Sequence, residues 1–178
     1  FTNNGAYISD PSNNYFSDLI VGATGYLIGG AGDNFYIASD FMNYSAQTSL
    51  WNTTDSYLGF TGSSSHEFYL AGWDSASSMS FQWDTLELGD GGSLLFNGGA
   101  GAALYVDNLI LSAGSTINLN GFNLYYSSLT DLGGSYYNGQ LSYLAGNPGG
   151  ATVPEPSTFF LLGSGFIGLA AMRRFRKN

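Results

Sequence analysis

An internal repeat in the second half of the chain constrains the fold more than any other feature. Residues 81–99 align without gaps to residues 104–122, at an offset of 23 residues. Aligned positions share their residue class, as in the pairs Trp83/Val106, Asp84/Asp107, Leu86/Leu109, Leu88/Leu111, Leu94/Ile117, Asn97/Asn120 and Gly98/Gly121. A repeat of this length is typical of architectures in which successive copies stack on one another.

Within each copy, apolar residues alternate in short runs, which is the periodicity of β-strands. Asp-Thr or Asp-Asn, a Gly-containing turn and Asn-Gly separate three such runs. We therefore predict an all-β body that is β-solenoid-like, a right-handed β-helix of about 23 residues per coil. Its corners are expected at Asn97, Gly98, Asn120 and Gly121, and a β-sandwich is the alternative fold.

The first half of the chain repeats less clearly. Ser65–Gly72 resembles a third copy if Phe68 and Leu70 correspond to Leu94 and Phe96. Other short apolar runs between Gly, Asn and Ser predict further strands: Leu19–Val21, Tyr26–Ile28, Phe35–Ile37, Leu50–Trp51 and Tyr57–Phe60. Hairpins and irregular coils both fit these runs. The predicted organisation is a body at 1–147, a Pro/Gly linker at 148–157, a hydrophobic helix at 158–172 and a basic tail at 173–178.

Charge excludes several functions for the body. The chain has 13 acidic residues and 4 basic ones, and Arg173, Arg174, Arg176 and Lys177 are the basic four. Nucleic-acid binding and phosphoryl transfer need Lys or Arg to neutralise phosphates, and the first 172 residues have neither. With no Cys, the chain has no disulfide, thiolate nucleophile or zinc–thiolate site.

No pattern predicts catalysis, so we expect no enzyme, no catalytic residue and no metal site. The single histidine, His66, is expected at the surface or at a corner, without a nucleophile pattern beside it. A carboxylate pair could serve glycoside hydrolysis, but Asp84 and Glu87 are expected as solvated acids on opposite sides of a corner, with Asp107 one coil above Asp84. Gly29–Tyr36 partly matches a calcium-binding nonapeptide but occurs once, so a hairpin loop is expected there. No cofactor is expected, with incidental calcium at acidic corners as the alternative.

The C-terminal region has three parts in order. Val153, Pro154, Glu155 and Pro156 precede an uncharged stretch from Phe159 to Met172, and the basic cluster follows. The apolar residues of that stretch are Phe159, Phe160, Leu161, Leu162, Phe166, Ile167 and Leu169. As a helix it would be about 21 Å long, and snorkelling Arg side chains would extend it towards the roughly 30 Å of a bilayer core.

These three parts resemble the PEP-CTERM sorting signal of exported proteins in Gram-negative bacteria. The resemblance implies recognition by an exosortase at the membrane and a location outside the cell or on its surface. A looser resemblance at Ala103–Tyr126 is to PEP-CTERM proteins with β-helical bodies. We expect a non-enzymatic matrix or biofilm protein that assembles with itself and contacts exopolysaccharide. A carbohydrate-binding or adhesion module is the alternative. The aromatic residues that could stack on sugars are Tyr57, Tyr69, Trp73, Tyr125, Tyr126, Tyr136 and Tyr137.

Overall fold

The computed structural model describes residues 1–75 and 79–144, and these ranges fold into sixteen β-strands. The chain divides into two units, Phe1–Asn147 and Pro148–Asn178, and every described residue belongs to the first. The strands are β1 Thr2–Asn3, β2 Ala6–Ile8, β3 Asn13–Phe16, β4 Leu19–Val21, β5 Tyr26–Ile28, β6 Asn34–Ile37, β7 Phe41–Asn43, β8 Thr53–Phe60, β9 Ser65–Leu70, β10 Trp83–Leu88, β11 Ser93–Gly98, β12 Ala103–Leu111, β13 Thr116–Asn118, β14 Asn123–Asp131, β15 Ser135–Tyr137 and β16 Gln140–Tyr143.

The strands form two seven-stranded sheets and one two-stranded sheet. Sheet 1 has the order β1-β4-β7-β9-β11-β13-β15, sheet 2 has the order β16-β14-β12-β10-β8-β6-β3, and β2 pairs with β5. The paired strands of the described ranges run parallel throughout. The all-β prediction is confirmed, and the parallel pairing of the described strands shows that the alternative of N-terminal hairpins is wrong.

The chain visits the two sheets in turn, so each return to a sheet adds a strand beside the previous one. This order is solenoid-like, because a strand of the opposite sheet serves as the crossover that parallel pairing requires. Leu86 pairs with Leu109 and Leu88 with Leu111, both 23 residues apart. Leu94 pairs with Ile117 at the same separation. The alignment predicted for these positions is therefore confirmed.

The third copy pairs two residues away from the predicted register. Phe68 lies opposite Phe96, and His66 takes the position opposite Leu94. The error has a physical cause: His66 is only 3% exposed, so a polar residue fills a core position and breaks the apolar pattern.

The repeat also contains fewer strands than predicted. β10 continues through Asp84 and β12 through Asp107, where corners were expected. Both acids lie at positions intermediate in burial and accept side-chain hydrogen bonds, so they fit within a strand without ending it. Each clear repeat therefore has two strands, one in each sheet.

Two of the four residues predicted as corners lie at a turn, and the other two lie in a strand. Asn120 and Gly121 have φ of 48° and 85°, and Asn120 Nδ2 donates to the Phe96 carbonyl at 3.1 Å. Asn97 and Gly98, by contrast, end strand β11. The strand extends that far because β9 pairs with it up to Leu70, opposite Gly98.

The core lies between the sheets and consists of rows of stacked apolar side chains. One row in sheet 1 is Leu19, Phe41, Phe68 and Phe96, each paired with the next. A row in sheet 2 is Phe35, Leu58, Leu86 and Leu109. All eight side chains are at most 1% exposed. Since parallel strands lie about 4.8 Å apart, like residues at successive coils contact each other directly.

The expected linker, helix and basic tail lie outside the described residues. Within residues 1–75 and 79–144, no helix is long and apolar enough to cross a membrane.

Candidate functional site

An open groove lies where strands β7, β9 and β11 leave sheet 1. Its volume is about 310 Å³. None of the residues that line it is charged, and apart from Asn43 they are aromatic, aliphatic or small: Asn43, Tyr44, Ser45, Tyr69, Leu70, Ala71, Gly72, Trp73, Gly99, Ala100 and Ala102. We call this the aromatic groove.

Tyr44 and Tyr69 form one wall of the aromatic groove. Their ring centroids are 4.5 Å apart and the planes are tilted by 46°. The parallel register that pairs Met42 with Tyr69 brings the two rings together, since Tyr44 follows β7 directly. Beneath them, buried Asn43 Oδ1 accepts the Ser45 amide at 3.0 Å, and the Ser45 hydroxyl donates to the Gly25 carbonyl at 2.5 Å. The wall therefore rests on a fixed backbone.

Trp73 forms another part of the groove, and its side chain is 65% exposed. The backbone around it is firmly held. The Asp74 amide donates to the Gly101 carbonyl at 2.7 Å, and the Tyr105 hydroxyl donates to the Trp73 carbonyl at 3.2 Å. Gly72 is required here because a Cβ atom would lie 2.4 Å from the Ala103 carbonyl oxygen.

Asp74 connects this segment to the outer face of sheet 2. Its two carboxylate oxygens accept hydrogen bonds of 2.6 Å from the Tyr125 hydroxyl and from Asn123 Nδ2. The hydrogen bond from Tyr125 to Asp74 is the main reason that the pKa of Tyr125 is raised to about 12. Tyr125 in turn stacks on buried Tyr105, with centroids 4.9 Å apart and an interplanar angle of 7°.

The carboxylates considered for catalysis have structural partners. Asp84 and Glu87 lie on the same strand, β10, with no corner between them. Glu87 accepts hydrogen bonds from the hydroxyls of Tyr57 at 2.9 Å and Ser112 at 3.2 Å. Asp107 accepts one from Gln82 at 3.1 Å. These acids tie neighbouring strands together.

The single histidine is buried, so the expectation of a surface or corner position is wrong. His66 Nδ1 lies 2.7 Å from the Ser39 carbonyl oxygen, and the ring packs against Phe60 at 5.4 Å. Nε2 finds no hydrogen-bond partner in the described part of the chain.

The segment Gly29–Tyr36 forms the corner between β5 and β6 and then enters β6 at Asn34, where a hairpin loop was expected. Asp33, 2% exposed, accepts hydrogen bonds from the Ser9 hydroxyl, the Ser12 amide and the Gly30 amide. Its carboxylate therefore holds two successive coils together. No group of three or more acidic or histidine side chains in the described ranges is placed to hold a metal ion.

Sequence reasoning identified only part of the aromatic groove. Tyr69 and Trp73 were candidates for stacking on sugars, but Tyr44 was missed. In the sequence, Tyr44 stands in the stretch Asn43-Tyr44-Ser45, directly after an apolar run. Its position beside Tyr69 can be inferred only once the register of β7 against β9 is known.

Comparison with known proteins identifies the C-terminal region. Residues 152–177 match the family model for the PEP-CTERM protein-sorting motif. No curated protein and no solved structure matches the chain. The matched range contains the predicted sorting motif Val153–Pro156, the apolar stretch and the basic residues, all outside the described structure. The chain therefore carries a PEP-CTERM sorting signal, which implies export and recognition by an exosortase at the membrane.

Proposed function

We propose that this chain is a non-enzymatic structural protein of the extracellular matrix that assembles head to tail with copies of itself. The observation that carries the proposal is that the strands at both ends of the two sheets have no charged side chain. Proteins that avoid edge-to-edge pairing place Lys, Pro or inward-pointing charges on such strands. We also infer that the solenoid-like body winds as a right-handed β-helix.

At the N-terminal end, the outermost strands are β1 in sheet 1 and β3 in sheet 2. Tyr15 on β3 is 72% exposed and stacks on Tyr36 of the next coil, with centroids 5.0 Å apart. Phe1 and Ile8 are also exposed. This end therefore presents an aromatic stack whose outer face has no partner in the described residues.

At the C-terminal end of the described body, the outermost strands are β15 in sheet 1 and β16 in sheet 2. Tyr136, Tyr137 and Tyr143 on these strands are about half exposed. Residues 132–144 contain no Asp, Glu, Lys, Arg or His. No charged side chain within these residues opposes apolar contact at this end.

The two ends are complementary because each sheet ends in a parallel edge. Pairing β16 of one copy with β3 of the next would extend sheet 2, and pairing β15 with β1 would extend sheet 1. A contact between two different ends is heterologous and does not close, so it produces a filament. The alternative partner for the C-terminal edge strands, in place of a second copy, is the segment 145–178 of the same chain.

The test compares two Lys substitutions of the full chain. Tyr136→Lys places a charge on edge strand β15, whereas Leu95→Lys places the same charge on partly exposed β11, within sheet 1. We expect filaments by electron microscopy for the wild type and Leu95→Lys, and loss of filaments for Tyr136→Lys. A wild-type protein that sediments as a monomer at all concentrations would refute assembly. Filaments in both variants would refute assembly through this edge.

Export processing is tested separately, in a Gram-negative host with and without an exosortase. We expect the protein recovered outside the exosortase-bearing cells to have lost the residues after about Pro154 by mass spectrometry, following the matched motif. Cells without the exosortase should retain the full mass. An unchanged mass in both would contradict sorting through this signal.

A further inference from the structure

We infer that the aromatic groove binds a neutral polysaccharide, with Trp73 and Tyr44 as the stacking surfaces. This site is independent of assembly through the sheet edges. Its volume of about 310 Å³ lies at the lower end of the roughly 300–1,000 Å³ typical of small-ligand sites.

The first support is that large aromatic surfaces stay exposed on a rigid frame. Trp73 is 65% and Tyr44 47% exposed, although the core elsewhere encloses Trp83 and six phenylalanines. Tyr and Trp provide broad apolar contact at low conformational cost because they have only two rotatable side-chain bonds. Holding them in place before binding reduces the entropy that a ligand must remove.

The frame is held by contacts that leave the aromatic rings free. The Ser75 amide donates to the Tyr105 hydroxyl at 2.8 Å, beside the bond from that hydroxyl to the Trp73 carbonyl. Asp74 is fixed by Tyr125 and Asn123. These bonds involve the backbone of Trp73 and the groups next to it, so the indole itself remains available to a ligand.

The second support is the chemistry of the lining. The groove offers apolar ring faces next to the Tyr44 and Tyr69 hydroxyls, which make no hydrogen bond to another described residue. A sugar ring combines an apolar C–H face with peripheral hydroxyls, which matches this mixture. A purely apolar ligand would leave the tyrosine hydroxyls unpaired on binding.

Charge selects a neutral ligand. The first 172 residues have no Lys or Arg, so a uronic-acid or sulfated polymer would meet only acidic repulsion. A cationic ligand would favour an aromatic site with a nearby free carboxylate. No lining residue is acidic, and both oxygens of neighbouring Asp74 are already bonded.

The test is native affinity electrophoresis of the full chain in gels containing one polymer each. The neutral probes are dextran, a mixed-linkage β-glucan, xylan and galactomannan; alginate is the acidic probe, and tetramethylammonium in solution is the cationic one. We expect retardation by at least one neutral polymer and none by alginate. Quenching of indole fluorescence by the same polymer should accompany it, since Trp51 and Trp83 are buried.

Variants locate the site. Trp73→Ala and Tyr44→Ala should each weaken binding about tenfold or more, as expected for a central aromatic contact. Trp73→Phe should retain part of the affinity. Leu50→Ala removes a side chain that is 48% exposed, outside the groove and away from the edge strands, and should bind normally. Circular dichroism and the melting temperature establish that each variant is folded.

Three results would overturn the inference. They are no retardation by any neutral probe, equal binding by wild type and Trp73→Ala, and preferential binding of alginate or tetramethylammonium. Because the Tyr136→Lys variant described above should bind as the wild type does, loss of binding in that variant would also contradict a site independent of assembly.

Discussion

Gly59 leaves the space that the ring of Tyr57 occupies on the outer face of sheet 2. A Cβ atom at Gly59 would lie 2.6 Å from Tyr57 Cε1 and 2.8 Å from its hydroxyl oxygen. Gly59 pairs with Tyr36 on one side and Glu87 on the other. The ring therefore lies over the glycine. Its centroid is 5.5 Å from that of the Tyr36 ring, and its hydroxyl donates a hydrogen bond to Glu87.

Gly59→Ala is expected to displace Tyr57 and to destabilise the body by about 1–3 kcal/mol, the usual range for overpacking. Burial first, and then the hydrogen bond to Glu87, raise the pKa of Tyr57 well above its ordinary value of 10.0. Displacement should lower that pKa again. Urea unfolding and tyrosinate absorbance measure the two effects.

Gly30→Ala is the matched control, since a Cβ atom there meets nothing within 4 Å. It should change the free energy of unfolding by less than about 0.5 kcal/mol and leave tyrosine titration unchanged. Equal effects in both variants would contradict the role assigned to Gly59.

The register of the clear repeat could be predicted because its core positions are apolar in both copies. Leu86 and Leu109 occupy equivalent places and pair as aligned. The register of the earlier copy could not be predicted, because polar His66 fills a core position and the apolar pattern therefore begins only at Phe68. The opposite error occurred at Asp84 and Asp107. Corners were predicted there because acids are typical of turns, whereas both acids lie within strands.

The aromatic groove could be predicted only in part, for a different reason. Tyr44 and Tyr69 are 25 residues apart, and only the pairing of β7 with β9 brings them to 4.5 Å. The segment that carries Trp73 is placed by the close approach of the preceding Gly72 to the Ala103 carbonyl oxygen. Neither distance is encoded in a local pattern, so composition could suggest sugar stacking without locating it.

Removing one ring of the stacked pair in the core is expected to lower the free energy of unfolding by a large amount. Phe68 and Phe41 lie with centroids 4.7 Å apart and planes 14° from parallel, and both are at most 1% exposed. Phe68→Ala should destabilise the body by about 3–5 kcal/mol, because it removes buried area and leaves a cavity. Leu95→Ala, on the outer face of the adjacent strand, should cost far less. Chemical denaturation followed by circular dichroism compares them.

Removing the Asp33 carboxylate is expected to destabilise the corner between β5 and β6. Asp33→Ala removes the acceptor of three hydrogen bonds and leaves the Ser12 and Gly30 amides unpaired. We expect a loss of about 2 kcal/mol or more, because three hydrogen bonds to a charged acceptor are lost and each contributes roughly 1.5–3 kcal/mol. Asp55→Ala removes an exposed carboxylate and should be close to neutral. Thermal unfolding of both variants tests the difference, and equal melting temperatures would contradict it.

The bond between Tyr125 and Asp74 predicts how stability changes in alkali. The folded state raises the pKa of Tyr125 from 10.0 to about 12, so this bond contributes fully below pH 10. Its contribution is lost as pH rises through about 12.

In Asp74→Asn the carboxylate charge is gone, and the pKa of Tyr125 should fall towards 10. Tyrosinate absorbance should then show one of the 13 tyrosines titrating earlier than in the wild type. Asp55→Asn, which removes a charge at a distant exposed site, should leave the titration curve unchanged. A curve that is the same for Asp74→Asn and the wild type would mean that the phenol is held by something other than this carboxylate.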